Sequence, residues 1–173
     1  MVDGLIQSWN ERDLDQFMSY LDDAVVWSDP AMLYGPAQGS LQVREFCNAL
    51  LAAFPDFTYR IREPICIAET GERCAIPWEI SATHLGTFQP SGFKPTNQPL
   101  TMQGVDVLEF SNGKITRIDT YFSVVQAAEQ ALRLRLLPKR NTMKDHILIM
   151  LQRVRARWLR YRWPTPKGKK SSL

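Results

Sequence analysis

The sequence predicts an α+β fold, a curved antiparallel sheet wrapped around N-terminal helices, with an extra basic helix at the C-terminus. Three observations predict it. Before residue 55 the apolar residues recur at helical steps, from residue 57 the period changes to two, and a cation-rich segment closes the chain. A cone of that kind leaves a pocket between its helices and its sheet.

Taken in order, Leu5, Ile6, Trp9, Leu14, Phe17, Met18 and Leu21 fall at three- and four-residue steps, the pattern of an amphipathic helix. Asn10-Glu11-Arg12-Asp13 divides it in two, with Asp13 as N-cap of the second helix. Asp22-Asp23 closes that segment, and residues 24–28 read as a short strand that ends at Asp29-Pro30, because the residue before proline avoids the helical region. After a loop with Gly35, Pro36 and Gly39, residues 40–54 form a third helix, capped by Ser40 and stopped by Pro55. Residues 57–68 alternate as a strand interrupted by Pro64, which suggests an edge or a bulge. Residues 74–85 make a second long strand, followed by a Pro/Gly-rich loop over 86–99. Residues 100–110 and 115–125 are two more strands, joined by Ser111-Asn112-Gly113-Lys114, a hairpin turn because Asn-Gly accepts positive φ.

Length, charge and cysteines bound the function. The 173 residues suit one domain with an appendage, and 45% apolar with 23% charged is ordinary globular composition. Residues 1–137 carry 10 Lys/Arg against 17 Asp/Glu, a net −7, whereas residues 138–173 carry 11 Lys/Arg against the single Asp145, a net +10. This gives a domain over 1–137, a basic amphipathic helical extension over 138–163 and a disordered tail over 164–173. Cys47, Cys66 and Cys74 show no metal-like spacing and read as reduced, buried thiols. No leader is visible at Met1-Val2-Asp3-Gly4 and no apolar run nears the roughly 18 residues of a membrane span, so the expected location is the cytoplasm. There is no Gly-rich phosphate loop, nucleophile elbow or metal-spaced His/Cys cluster, so neither a metal nor a cofactor is expected.

Two runs concentrate the chemistry. Val25-Val26-Trp27-Ser28-Asp29-Pro30 and Gln103-Gly104-Val105-Asp106-Val107-Leu108-Glu109-Phe110 place the carboxylates of Asp29 and Asp106 inside otherwise apolar, strand-like stretches. An ionised carboxylate is costly to bury unless it is paired or its pKa rises, and a raised pKa is what a general base working near neutrality needs. Asp29 is the candidate base, with Asp106 and His84 as acid or oxyanion partners. Trp27, Tyr34, Trp78, Phe88, Thr120 and Phe122 are candidates to bind the substrate. Each has a plainer alternative: Asp29 caps a turn, Asp106 bonds to His84 or a backbone amide, His84 is structural, and the aromatics are core.

Leu21-Asp22-Asp23-Ala24-Val25-Val26-Trp27-Ser28-Asp29-Pro30, Tyr34-Gly35, Arg44-Glu45-Phe46 and Thr83-His84-Leu85-Gly86-Thr87-Phe88 resemble SnoaL-like polyketide cyclases and ketosteroid isomerases of the nuclear transport factor 2-like superfamily. Gly113-Lys114-Ile115, Tyr121-Phe122 and the closing residues 130–138 fit the same pattern, so the resemblance covers roughly 5–138. It implies the cone fold and isomerisation, cyclisation or dehydration of a small hydrophobic polyketide-, steroid- or terpenoid-like carbonyl compound. It also implies Asp29 as base and Asp106 as the protonated carboxyl that bonds the developing oxyanion, a pattern of pKa tuning known from ketosteroid isomerase. The oxyanion tyrosine of the isomerases falls on Leu5 and the late aspartate of the cyclases on Thr120, with Asp119 facing the other way. The competing class is a non-catalytic hydrophobic-ligand carrier or accessory protein of the same fold.

The tail over 145–163 reads as a basic helix with an apolar stripe of Ile147, Leu151, Val154, Trp158 and Tyr161 flanked by arginines. It suits docking on the acidic domain, docking across a homodimer formed through the sheet, or peripheral contact with a membrane surface. Nucleic acid is not an expected partner, having charge alone in its favour.

Overall fold

The computed structural model of the protein describes residues 1–133 and 142–162. The chain divides into two compact units, Met1–Leu134 and Arg135–Leu173.

In the first unit, α1 (Val2–Glu11) and α2 (Leu14–Ser19) are separated at Arg12, whose φ is 62°, and Asp13 caps α2 by accepting a hydrogen bond from the Gln16 amide. The Arg12 guanidinium donates to the carbonyls of Pro55 and Phe57, both at 2.8 Å, which ties this corner to the chain leaving the third helix. β1 (Leu21–Ser28) starts earlier than the sequence suggests, at Leu21 instead of Ala24. Next come β2 (Ala37–Gln38) and α3 (Gly39–Ala53). Ser40 does not cap α3: the helix begins one residue before it, and the Gln42 side chain takes the Gln38 amide instead.

The expected strand over 57–68 is two pieces, β3 (Thr58–Ile61) and β4 (Cys66–Ile67), on either side of Pro64, and both pair with β5 (Arg73–Thr83). Proline has no N–H for the ladder, so the edge breaks there. β6 (Pro99–Ser111) and β7 (Lys114–Phe122) close through Asn112 and Gly113 at φ 50° and 74°, as the turn sequence requires. β7 stops at Phe122 instead of Val125. Ser123 then accepts from the Gln126 amide and starts α4 (Val124–Ala131), a helix that takes up part of the expected closing segment.

The sheet order is β2-β1-β7-β6-β5-β3, with β4 also on β5. The sheet is antiparallel except that β1 runs parallel to β7, with Ser28 beside Asp119. Even-numbered residues of β5 and β6 face the helices, and Val25, Val43, Cys47, Ile76, Leu108 and Ile115 are among the most deeply buried. Trp9 packs edge-on to Trp27 and Phe57, joining α1 to the sheet. Cys47 and Cys74 are buried as expected, and burial pushes the Cys47 thiol up to about 12. Cys66 is exposed, because two-residue β4 lies at the broken edge.

In the second unit, α5 (Met143–Arg162) is helical where the basic segment predicts a helix. No helix among the described residues is long and apolar enough to cross a membrane. The expected disorder of 164–173 lies outside the described residues.

Candidate active site

A cavity of about 220 Å³ lies between the helices and the sheet, walled mostly by apolar side chains from α1, α3, α4 and the inner face of β5–β7. Its polar groups are few, and apart from His84 they gather where β1, β7 and β6 lie side by side. Ser28 is beside Asp119, and Thr120 pairs with Asp106, so Asp29, Thr120 and Asp106 form one row across three strands. Sequence distance conceals this row, since the parallel β1–β7 pairing creates it.

Asp29 turns out of β1 at Pro30. Its Oδ1 accepts the Ala31 amide at 2.6 Å, the turn-capping bond expected of Asp, and the residue lines the cavity. The capping and cavity readings therefore both hold. Burial in this apolar wall pushes its carboxyl up to about 7, opposed by the Ala31 bond and assisted by the nearby Asp106 charge.

Asp106 stands inside the sheet face with its pKa also raised, chiefly by burial. Its Oδ2 accepts the Tyr59 hydroxyl at 3.0 Å. Thr120 and Trp78 also present donors to this carboxyl and favour its charged form, but neither completes a bond of good geometry: Oδ1 and Trp78 Nε1 lack a protein partner among the described residues. Thr120 Oγ1 accepts the Trp27 indole N–H at 3.0 Å, which leaves its own proton free to point toward Asp106.

Tyr59 is the residue that sequence reasoning missed. Its alternation placed it on a strand, and nothing local signalled that the β3–β5 register would aim it at Asp106. The aim is fixed from outside the sheet. Asn10 of α1 accepts the Tyr59 amide at 2.8 Å and donates to its carbonyl at 2.9 Å, acting as a short substitute strand along the edge. Burial, with the Asp106 charge beside it, raises the Tyr59 pKa, so the phenol stays a donor. A tyrosine thus reaches the carboxyl from β3, whereas Leu5 supplies only apolar wall.

Gly104 completes the setting. A Cβ there would lie 2.3 Å from Trp78 Cζ2 and 2.5 Å from the Tyr121 carbonyl, so the glycine is the slot in which the Trp78 indole rests. Trp78 in turn packs 5.9 Å from Tyr59 and 6.2 Å from Phe122, centroid to centroid.

Of the other expected site residues, Trp27, Trp78, Phe88, Thr120 and Phe122 line the cavity. Tyr34 does not: it is 80% exposed on the loop after β1 and points to solvent. His84 lines the cavity but does not join the carboxyls, and its bond is not to Asp106. It follows β5 eight residues beyond Ile76, the partner of Asp106, and its Nδ1 lies 3.3 Å from Thr96 Oγ1. The surrounding Thr83–Phe88 motif has a packing reason. Thr83 binds Asp56 through its amide and hydroxyl, both at 2.7 Å, and the Leu85 and Gly86 amides donate to the Ala53 carbonyl at the end of α3. A Cβ on Gly86 would lie 2.0 Å from the Ala52 carbonyl oxygen, so only glycine lets the loop close on that helix end. Asp119 and Glu79 face away from the cavity and pair with Arg117 and Arg60.

A family model for SnoaL-like polyketide cyclases matches residues 1–131. The chain belongs to the SnoaL-like polyketide cyclase family. No curated protein matches. Solved structures agree on the fold. AclR of Streptomyces galilaeus, a candidate hydroxylase, is 21% identical with a TM-score of 0.63 over 92% of this chain and 91% of its own. A candidate polyketide cyclase of Pseudomonas putida KT2440 is 15% identical with a TM-score of 0.65, over 75% of this chain and 94% of its own. A protein of Catenulispora acidiphila with a ketosteroid isomerase-like fold, solved with trimethylamine, is 16% identical with a TM-score of 0.61, over 75% and 90%. At these identities the likeness is one of fold, and it is the nuclear transport factor 2-like cone that the sequence motifs imply. Membership in this family supports a cyclase- or isomerase-type role.

Proposed function

We propose that this SnoaL-like protein moves a proton on a small hydrophobic carbonyl compound of polyketide, steroid or terpenoid type, isomerising or cyclising it. One observation carries the reading: the Asp29 carboxyl, held near pKa 7, shares a narrow apolar cavity with the Tyr59–Asp106 pair. At neutral pH a substantial share of Asp29 is ionised and able to take a proton from the carbon beside the carbonyl. The electron pair of that C–H bond moves into the carbonyl, whose oxygen becomes an enolate. Asp106 in its protonated form, which burial favours, donates a hydrogen bond to that oxygen, and Tyr59 orients it. Asp29 then returns its proton to a different carbon, giving an isomer, or the enolate carbon attacks a second carbonyl, closing a ring, and the alkoxide formed there takes the proton back from Asp29. Protons and electron pairs shift within the substrate with no net oxidation or reduction, so the step needs no electron carrier.

The test is carboxyl-carbon NMR of Asp29 and Asp106 across pH, alone and with hydrophobic enones, together with deuterium exchange beside the enone carbonyl in heavy water. The reading expects Asp29 to titrate near neutrality, its resonance to move with the ligand, and exchange to be lost in Asp29→Asn. Two ordinary carboxylates indifferent to every enone would leave a ligand carrier at most.

A further inference from the structure

The end of the cavity away from the carboxyls holds one polar group of its own. His84 is fully buried, and its ring stacks on Phe54 with centroids 5.2 Å apart and planes at 29°. Phe54 in turn packs 6.2 Å from Phe88, and all three residues line the cavity. The proton on the imidazole can be placed by elimination. Thr96 has one hydroxyl proton, and it is given to the Ala131 carbonyl. The Thr96 oxygen therefore only accepts in its contact with His84 Nδ1, so Nδ1 carries the hydrogen. In the neutral ring Nε2 is then a bare acceptor, and it has no partner in the protein among the described residues. Phenylalanine would stack on Phe54 equally well without burying an unpaired nitrogen.

We propose that His84 Nε2 is the acceptor for a ring-borne hydroxyl of the substrate, with Phe54 and Phe88 as walls for the ring that bears it. The ligand is thus a compound that carries, besides the enolisable carbonyl at the Asp29–Asp106 end, an aromatic ring whose hydroxyl reaches the His84 end. The carbonyl half rests on the function proposed above; the hydroxyl half stands on the imidazole geometry alone. His84 lies eight residues along the chain from Ile76, the partner of Asp106, so the hydroxyl and the carbonyl are held at different ends of the cavity.

The experiment is nitrogen NMR of the full chain carrying ¹⁵N-histidine, with 2-naphthol and naphthalene as paired probes and calorimetric affinities for both. Free protein should show His84 protonated on Nδ1. 2-Naphthol should shift the Nε2 resonance and bind about tenfold more tightly than naphthalene, the worth of one hydrogen bond. His84→Phe should erase that preference while keeping naphthalene affinity within twofold. An Nε2 resonance unmoved by saturating 2-naphthol, a proton found on Nε2 in the free protein, or equal affinity for the two probes would overturn the proposal. The spectral readouts use the unsubstituted protein, so they hold even if His84→Phe folds poorly. An Asp29 that still responds to a hydroxyl-free enone while Nε2 ignores 2-naphthol would remove the hydroxyl site and leave the proton-transfer reading intact. The reverse result would do the opposite.

Discussion

Replacing Asp29 with Asn should stabilise the protein above neutral pH, and by an amount the structure allows one to estimate. The substitution keeps an oxygen for the Ala31 amide and removes only the ionisable group. In the native protein the Asp29 carboxyl is pushed from 3.8 to about 7, so between those pH values the folded state binds a proton that the unfolded chain has released. Stability contributed by this residue therefore falls as pH rises through that window. About three pKa units at ~1.36 kcal/mol each gives about 4 kcal/mol of penalty above pH 7, and solvent contact through the cavity mouth reduces it to roughly 2–4 kcal/mol. Near pH 4 the unfolded carboxyl is already about half protonated and only ~0.5 kcal/mol of the penalty remains, and at lower pH it vanishes. Urea denaturation of the two proteins at pH 4 and pH 8 is the assay. The expected result is near equality at pH 4 and a clear advantage for Asp29→Asn at pH 8, with a Tm gain of roughly 5–15 °C. A stability difference that does not change with pH would mean that Asp29 titrates as an ordinary carboxylate. The proposed base would then lack the property that suits it to its task.

Other expectations follow from the same geometry. The kcat/KM for enone isomerisation or α-proton exchange should rise with pH along a limb centred near 7, as Asp29 loses its proton, and Asp29→Asn should lower it by about 10²-fold or more. Tyr59→Phe removes a bond that favours the Asp106 carboxylate, so carboxyl-carbon NMR should show the Asp106 pKa moving further upward. Gly104→Ala drives a methyl into the Trp78 indole and the Tyr121 carbonyl, and should cost about 1–3 kcal/mol in urea unfolding with a changed near-UV tryptophan signal. Unchanged stability there would show that the Trp78 slot is not tightly filled.

The cone was legible in the sequence because its elements are local. Helical steps from Leu5 to Leu21, the proline stop after α3, the Asn112-Gly113 turn and the alternation of β5 to β7 each reflect physics acting within a few residues. The same holds for Asp29 and Asp106: a charge inside an apolar run stands out without any partner in view. Local signals misled where a neighbour decided the outcome. α3 began one residue before the expected cap Ser40, with Gln42 accepting the Gln38 amide, and Ser123 turned the end of the last strand into α4. What the tertiary structure decided was company. The parallel β1–β7 pairing set Asp29 beside Thr120 and Asp106, the Asn10 clasp on edge strand β3 aimed Tyr59 at Asp106, and the length of β5 carried His84 away to the aromatic end of the cavity. Pattern fixes which way a side chain faces along its own strand. Only strand register, a sum of many distant hydrogen bonds and contacts, decides what it faces.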